Sequence, residues 1–370
     1  MGKSNGSSLD AIPRGGELDL LTAVRFFAAM WVVVHHLGLW KMDEGSMAST
    51  ITHRFLEHGS IGVKFFFVLS GFILTHVYGR REKIPFREFL TARFARIYPV
   101  YLFALLVGIP MLVAGCRELV AKHSMAVGIG LAASKTVMVL TLTQAWYASS
   151  ALFWNGVSWS LSAEAFFYVL FPFILPRLRG RSTAMLFGVL MGCMVLEAGR
   201  SIGVSTLPSD AWGFFPPLRI ADFITGIVLR LLVDRNLRPP AWSAIPALFC
   251  FFAIQIPPLN SVLSWLGFAL AGHAAIGWSI AALASPRRGA DPSPWMRVPI
   301  LLGQVSYSIY LLHYPLFTYW MLIFPGQLDR TFGWYLLCLI CICTAVYFLV
   351  ESPAREKIRS WAKPQAQLRT

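Results

Sequence analysis

Apolar runs of roughly 20 residues recur from one end of the chain to the other, each a candidate membrane-spanning helix. They fall at about 20–40, 60–79, 98–116, 125–145, 159–175, 183–199, 214–233, 241–257, 260–285, 299–323 and 333–350. Hydrophobic residues make up 56% of the 370 positions, and the mean hydropathy is +0.60. Soluble domains sit nearer about 45–50% apolar, so the excess points to a membrane protein. No long polar stretch separates the runs and no fixed-period repeat is visible, so the expectation is one polytopic, all-α domain. What remains is too short for a separate soluble domain, which confines any chemistry to the bundle and its loops.

The first run is expected to stay in the protein rather than be removed as a signal peptide. Lys3 and Arg14 lie far from it, Glu17 and Asp19 precede it directly, and no small-residue cleavage site follows. The six cysteines, Cys116, Cys193, Cys250, Cys338, Cys341 and Cys343, all sit in or beside apolar segments. The CxxC in "CLIC" has no histidine or carboxylate partners nearby, so these residues read as small buried hydrophobes, with no metal site expected.

A net charge of +14 raises nucleic acid as a partner, but its placement argues against that. The basic residues cluster in short connections: "RREKIPFREFLTARFAR" (80–96), "RLRGR" (177–181), "RNLR" (235–238), "PRR" (286–288) and the tail "AREKIRSWAK". Lys and Arg concentrate on the cytoplasmic side of membrane proteins, and the acidic-to-neutral 42–59 fits the outside. Two cytoplasmic flanks require an even number of spans between them. The intervals 182–234, 239–286 and 298–351 each hold two candidates, whereas 97–176 holds three. One of the three must be re-entrant or surface-lying, and the Gly/Ala-rich 125–145, which contains Lys135, is the expected one. The result is about ten transmembrane helices plus a re-entrant or interfacial helix, with both termini cytoplasmic. Residues 1–17 form a cytoplasmic segment, 18–356 the membrane domain and 357–370 a basic cytoplasmic tail. Within 80–97, Phe86, Phe89, Leu90 and Phe94 would form an aromatic stripe on a helix. That segment reads either as an interfacial helix on anionic lipid or as a cytosolic cradle for a phosphate-bearing donor, and the two are compatible.

"LTAVRFFAAMWVVVHHLG" (21–38) carries ionisable groups that are costly in hydrocarbon. Arg25 and His36 are eleven residues apart, about three helical turns, within roughly 20° of one face and about 16 Å along the axis. His35 is about 100° round the helix and is expected to face elsewhere. In the bland reading Arg25 snorkels and His36 completes an interior hydrogen bond. Other polar groups also recur at helical spacing: Ser160, Glu164 and Tyr168 in one run, and Ser306, Tyr310 and His313 in another. Arg219 and Asp222, three apart, are expected to pair. Ser70-Gly71 lies mid-run, where small residues allow close helix approach. Singly each group fits structural glue; together they suggest a polar interior shared by several helices.

"LDLLTAVRFFAAMWVVVHH", "GVKFFFVLSGFIL", "RFARIYPVY", "WSLSAEAFFYVLFP", "GQVSYSIYLLHYPLF" and "VESPARE" follow in an order that resembles the acyltransferase-3 family of integral membrane acyltransferases. The resemblance runs from about residue 18 to 356. It implies transfer of an acyl group, commonly acetyl, from a CoA thioester to a sugar hydroxyl. The acceptors it suggests are surface glycans, glycolipids and some macrolides. The family's arginine–histidine pair falls on Arg25 and His36, and its paired arginines on Arg93 and Arg96. Its glutamate falls on Glu164, its Ser-Gly on Ser70 and Gly71, and its late Tyr/His motif on Tyr310 and His313. Lys64 departs from the pattern, since relatives often carry an acidic residue there. Some relatives add a soluble esterase-like domain, for which this chain has no room.

Acyl transfer to an alcohol needs a base, and His36 is read as the one that activates the acceptor hydroxyl; in a ping-pong variant His36, or Ser70, would be a transient acyl carrier. Arg25 would bind the thioester end or stabilise developing charge, and Glu164 would orient the histidine or the acceptor. Arg93 and Arg96 would hold CoA phosphates at the cytosolic face, with Ser70, Tyr310 and His313 lining the substrates. Acyl-CoA is then a co-substrate and no cofactor is bound. The partners are a glycan or glycolipid acceptor and membrane lipid, and the location is a bacterial cytoplasmic (inner) membrane. The rival class is a transporter or flippase, which would also need intramembrane ionisable groups. Inverted repeats would favour it, and none is visible.

Overall fold

The computed structural model describes residues 18–38, 56, 58, 59, 61–206, 213–254, 262–284 and 293–362. Every regular element among them is helical. Helix α1 (Asp19–His36) places Asp19 in its first turn, where the helix dipole favours an anion. It stops before Gly38, whose φ of +70° is a left-handed conformation that a Cβ disfavours. Helix α2 (Ile61–Tyr78) runs back along it, with Gly62 pressed against the Ala28 carbonyl.

Helix α3 (Phe86–Val107) differs from the sequence expectation of a basic surface helix followed by a separate span over 98–116. The basic aromatic stripe is instead the first turns of one continuous helix. Gly108 and Pro110 then end it, and α4 (Ile109–Lys122) starts with Pro110 in its first turn, where a missing N–H costs nothing. Helix α5 (Met125–Leu140) folds back on α4 through Gly128, and its last residues land beside the middle of α3. There Tyr101 donates to the Val139 carbonyl at 2.6 Å and Tyr98 to the Leu140 carbonyl at 3.1 Å. Helices α4 and α5 thus form a hairpin that leaves and rejoins α3, and the 16 residues of α5 fall short of the roughly 20 that a spanning helix needs.

Residues 141–158 follow as short turns. Leu142 and Trp154 have φ of 58° and 69°, strained for residues with a Cβ. Two side chains hold this stretch: Trp154 donates Nε1–H to the Leu105 carbonyl at 3.0 Å, and Asn155 donates to the Leu311 carbonyl at 3.0 Å. Then come α6 (Trp159–Arg179), α7 (Thr183–Thr206), α8 (Ile220–Val233), α9 (Ala244–Ile254), α10 (Val262–Leu283), α11 (Arg297–Ile323) and α12 (Leu328–Val346). A π turn at Tyr347–Glu351 leads into α13 (Ser352–Ala362).

Two crossings set the geometry of the interior. Helix α2 meets α8 glycine to glycine: a Cβ on Gly71 would collide with the Phe223 carbonyl, and one on Gly226 with the Val68 carbonyl. Helix α11 lies along α1, with Gly303 against the Thr22 carbonyl. Small residues let backbones approach where hydrocarbon supplies no hydrophobic drive between helices. On the outside, α7 exposes Phe187, Met191 and Val195, four apart and up to 68% accessible, a lipid-facing stripe.

The segments Ile61–Tyr78, Phe86–Val107, Gly156–Arg179, Thr183–Gly203 and Leu328–Trp361 are each long and apolar enough to cross a membrane. Helices α1 and α11 fall outside that set of five, and they are the two that carry Arg25, His36 and His313.

Candidate active site

Two polar groups lie along one face of α1, at opposite ends of that helix. At its last residue, His36 Nδ1 sits 3.0 Å from His313 Nε2 on α11, the two rings within 13° of parallel. The buried His313 has its Nδ1 2.7 Å from the Tyr310 carbonyl oxygen. A carbonyl only accepts, so that nitrogen carries the proton, and in a neutral ring Nε2 is then the acceptor. His36 therefore donates through Nδ1, and its Nε2 keeps the lone pair. The local sequence arranges this. Pro315 cannot donate to Leu311, four residues earlier. Asn155 takes that carbonyl instead and so fixes the turn beside the histidines.

His36 lines a cavity of about 480 Å³ with Lys64, Trp159, Glu197, Arg200, Arg219 and Tyr314. His35 also reaches this cavity, and its Nδ1 donates to the Leu56 carbonyl at 3.2 Å. One wall is an ionic network. Lys64 pairs with the fully buried Glu197, which Arg200 also grips, at 2.8 Å through Nε and 2.6 Å through Nη2. Lys64 is 4.0 Å from Asp222, which accepts from His273 Nδ1 at 3.1 Å; His273 Nε2 lies 2.8 Å from Thr225 Oγ1. Buried charges need such company, since an unpaired one is costly. The expected Arg219–Asp222 ion pair does not form. Arg219 turns away, donating Nε–H to the Gly213 carbonyl at 2.8 Å and lying over the Trp159 ring at 5.3 Å.

The second group surrounds Arg25. Its guanidinium is within electrostatic reach of Glu164, Tyr168, Arg96 and Glu351, and no described side chain hydrogen-bonds to it. Glu164 accepts from Tyr168, one turn along α6, and from Ser70 at 3.2 Å. Arg96 donates to Glu351 at 2.5 Å, and Ser308 donates to the other carboxylate oxygen at 3.1 Å. The π turn carries Glu351, and its extra residue directs the carboxylate inward; π turns are frequent at functional sites. Arg93 lies over the Phe89 ring at 5.8 Å, and its buried Nε has no hydrogen-bond partner among the described residues.

Of the sequence-derived candidates, Arg25, Ser70, Arg96 and Glu164 converge at one level, with Arg93 facing Tyr168 beside them. His36 and His313 meet at another. Tyr310 stands between, its hydroxyl 2.7 Å from Ser160 Oγ and 2.9 Å from the Val157 carbonyl. Glu164 is occupied by Ser70 and Tyr168, and the ring that orients His36 is His313. Sequence reasoning missed Glu197, Arg200, His273 and the role of Glu351. The available signal was a charged pair three apart, Glu197 and Arg200, inside an otherwise apolar helix.

The acyltransferase-3 family model, described as an acyltransferase domain, matches residues 18–352. The chain belongs to that family. The acyltransferase MdmB of Streptomyces mycarofaciens is 27% identical over 343 residues, covering 87% of this chain and 84% of that protein. The O-acetyltransferase OatA of Staphylococcus aureus is 23% identical over 377 residues, covering 91% of this chain but 57% of its own length. A regulator of hypoxia-inducible factor 1 from Caenorhabditis elegans is 23% identical over half of this chain. No solved structure matches. This acyltransferase-3 protein is thus a membrane acyltransferase with a donor and an acceptor, and the segments that carried the resemblance supply Arg25, His36, Lys64, Ser70, Arg96, Glu164, His313 and Glu351 to its two polar groups.

Proposed function

We propose that the protein moves an acyl group, acetyl in the simplest case, from acyl-CoA to a hydroxyl of a surface glycan or glycolipid. The observation that carries this reading is the His36–His313 pair: one nitrogen of His36 is held by a fixed acceptor, and the other keeps a lone pair beside a cavity. His36 Nε2 takes the acceptor's hydroxyl proton as its oxygen bonds to the thioester carbonyl carbon. The tetrahedral oxyanion collapses, the C–S bond breaks, and the CoA sulfur leaves with the proton returned from His36. The products are an ester and free CoA, and no oxidant or metal enters the balance. Arg25, about 16 Å along α1 from His36, faces the donor side, with its guanidinium free to bind the phosphopantetheine arm. Arg93, with its unpartnered Nε, binds CoA phosphate, while Arg96 is engaged with Glu351 and shapes the passage.

In this reading the α1 N-terminus and the basic connections face the cytoplasm of a bacterium, and the His36 cavity opens to the far side. Ten spans with both termini inside account for the charge distribution. The return of the α4–α5 hairpin to α3 supports leaving that hairpin out of the count. Reporter fusions near 180 and 236 should then read as cytoplasmic; an external readout at 180 refutes this threading.

The chemistry is tested with membranes supplied with labelled acetyl-CoA. His36→Ala should insert normally and lose most transfer, since acid–base catalysis contributes about 10²–10⁴-fold. His35→Ala, whose ring nitrogen is engaged by Leu56, should keep substantially more. A fully active His36→Ala removes the basis of this mechanism.

A further inference from the structure

The cavity beside His36 holds a positive charge that acyl transfer alone does not require. Its charged lining is Lys64, Glu197, Arg200 and Arg219, with Asp222 behind Lys64. Glu197 is shared between Lys64 and Arg200, and Asp222 between Lys64 and His273. Three cations therefore face two carboxylates even with His273, His35 and His36 neutral. The excess falls on Arg219. Among the described residues no carboxylate lies within ion-pair range of it. Its Nε–H is spent on the Gly213 carbonyl, and the Trp159 ring supports its plane. Both Nη groups are thereby held in place with no hydrogen-bond acceptor among the described residues.

A guanidinium in a cavity wall with no carboxylate in contact is open to an anion, and a fixed planar fork matches the paired oxygens of a carboxylate or a phosphate. We propose that the acceptor carries an anionic group, a carboxylate or a phosphate ester, near the hydroxyl that is acylated, and that Arg219 binds it. The proposal rests on the reading of His36 as the base at this cavity. An anion seated on Arg219 and a hydroxyl at His36 give two anchors to one sugar, and two anchors restrict the rotations that would carry the hydroxyl away from the base. A neutral acceptor would be held by the hydroxyl end alone and would leave the Arg219 fork unoccupied. Lys64 and Arg200 do not fill this role, because each already has Glu197.

The test is equilibrium binding, measured by ligand-observed NMR on the full-length protein in neutral-lipid nanodiscs. The probes are methyl β-D-glucuronide, glucose 6-phosphate and the uncharged methyl β-D-glucoside. Each charged sugar, or one of the two, should bind about tenfold or more tightly than the glucoside, as charge-assisted hydrogen bonds would give. The tighter of the two names the carboxylate or the phosphate as the natural anion. Arg219→Gln should bring charged and neutral sugars to within about twofold while leaving glucoside binding unchanged, which also reports an intact cavity. Arg219→Lys, which keeps the charge but loses the fork, should retain only a reduced preference. No preference in the parent protein overturns the proposal, as does an undiminished preference in both variants. Binding needs neither donor nor turnover, so a protein that prefers the anionic sugar yet never transfers an acyl group keeps the anion site and refutes the mechanism at His36 instead.

Discussion

Replacing His313 with alanine should slow acyl transfer without weakening donor binding. The imidazole accepts from His36 Nδ1 at 3.0 Å and is itself locked by the Tyr310 carbonyl at 2.7 Å, so it selects the tautomer in which His36 Nε2 is the base. Alanine leaves the His36 N–H without its acceptor. His36 is exposed to the cavity, so the scale is the net worth of one hydrogen bond, about 0.5–1.5 kcal/mol. If the working tautomer loses that much, the rate falls by about 2- to 13-fold, at about 1.4 kcal/mol per factor of ten. The loss should be smaller than that of His36→Ala, which removes the base itself. His313→Gln should recover part of the rate, because its amide oxygen can accept from His36. The assay is initial-rate transfer of labelled acetyl groups, with membrane abundance matched by immunoblot and the acetyl-CoA concentration varied. The fall should appear in kcat with KM for acetyl-CoA little changed, since His313 does not touch the donor passage. Parent-like activity in His313→Ala, or a glutamine variant as poor as alanine, would refute the tautomer argument.

Arg96→Ala should lower the thermal midpoint of the purified protein, because it strands Glu351, 1% exposed, without its cation, at a cost of about 3–5 kcal/mol. Adding Glu351→Gln should restore much of the stability, and a double variant no better than the single one would mean that the pair is not the cause. Gly226→Ala should destabilise by about 1–3 kcal/mol as its methyl group meets the Val68 carbonyl, read as earlier melting in a detergent thermal scan; an unchanged melt would show that the α2–α8 crossing has slack.

The helices were legible in the sequence because apolar length is a local property, and so was the alignment of Arg25 with His36, which needs only 100° per residue. Partnerships across the bundle were not. His313 is 277 residues from His36, and Glu197 is 133 from Lys64. Lys64 stood out as a departure from the family pattern, and the structure supplies its reason: Glu197 and Asp222 face it from other helices. The Arg219–Asp222 pairing failed because spacing on one helix does not decide direction. Arg219 belongs to a short 3₁₀ turn, Pro216–Arg219, that aims it at Gly213, while Asp222 sits inside α8 facing His273. The boundary at 107–110 was misplaced because a hydropathy window runs smoothly across Gly108 and Pro110, whereas the backbone does not.

The position of Tyr310 bears on the energy economy of the cell. Its ring lies between the Arg25 group and the His36 group, hydroxyl bonded to Ser160 and to the Val157 carbonyl, with Phe66 edge-on at 6.1 Å. A membrane that stores work as an ion gradient cannot carry an open aqueous duct through an enzyme working across it. Tyr310 and Phe66 fill the interval between the two levels, and the Tyr310 hydroxyl is spent on Ser160 and on the Val157 carbonyl. In the proposed reaction a thioester arm that bridges the two levels would have to part these rings, and while it lay there the arm itself would fill the gap. On that reading the protein would stay plugged in both conditions, by its own aromatic rings when idle and by its substrate when at work.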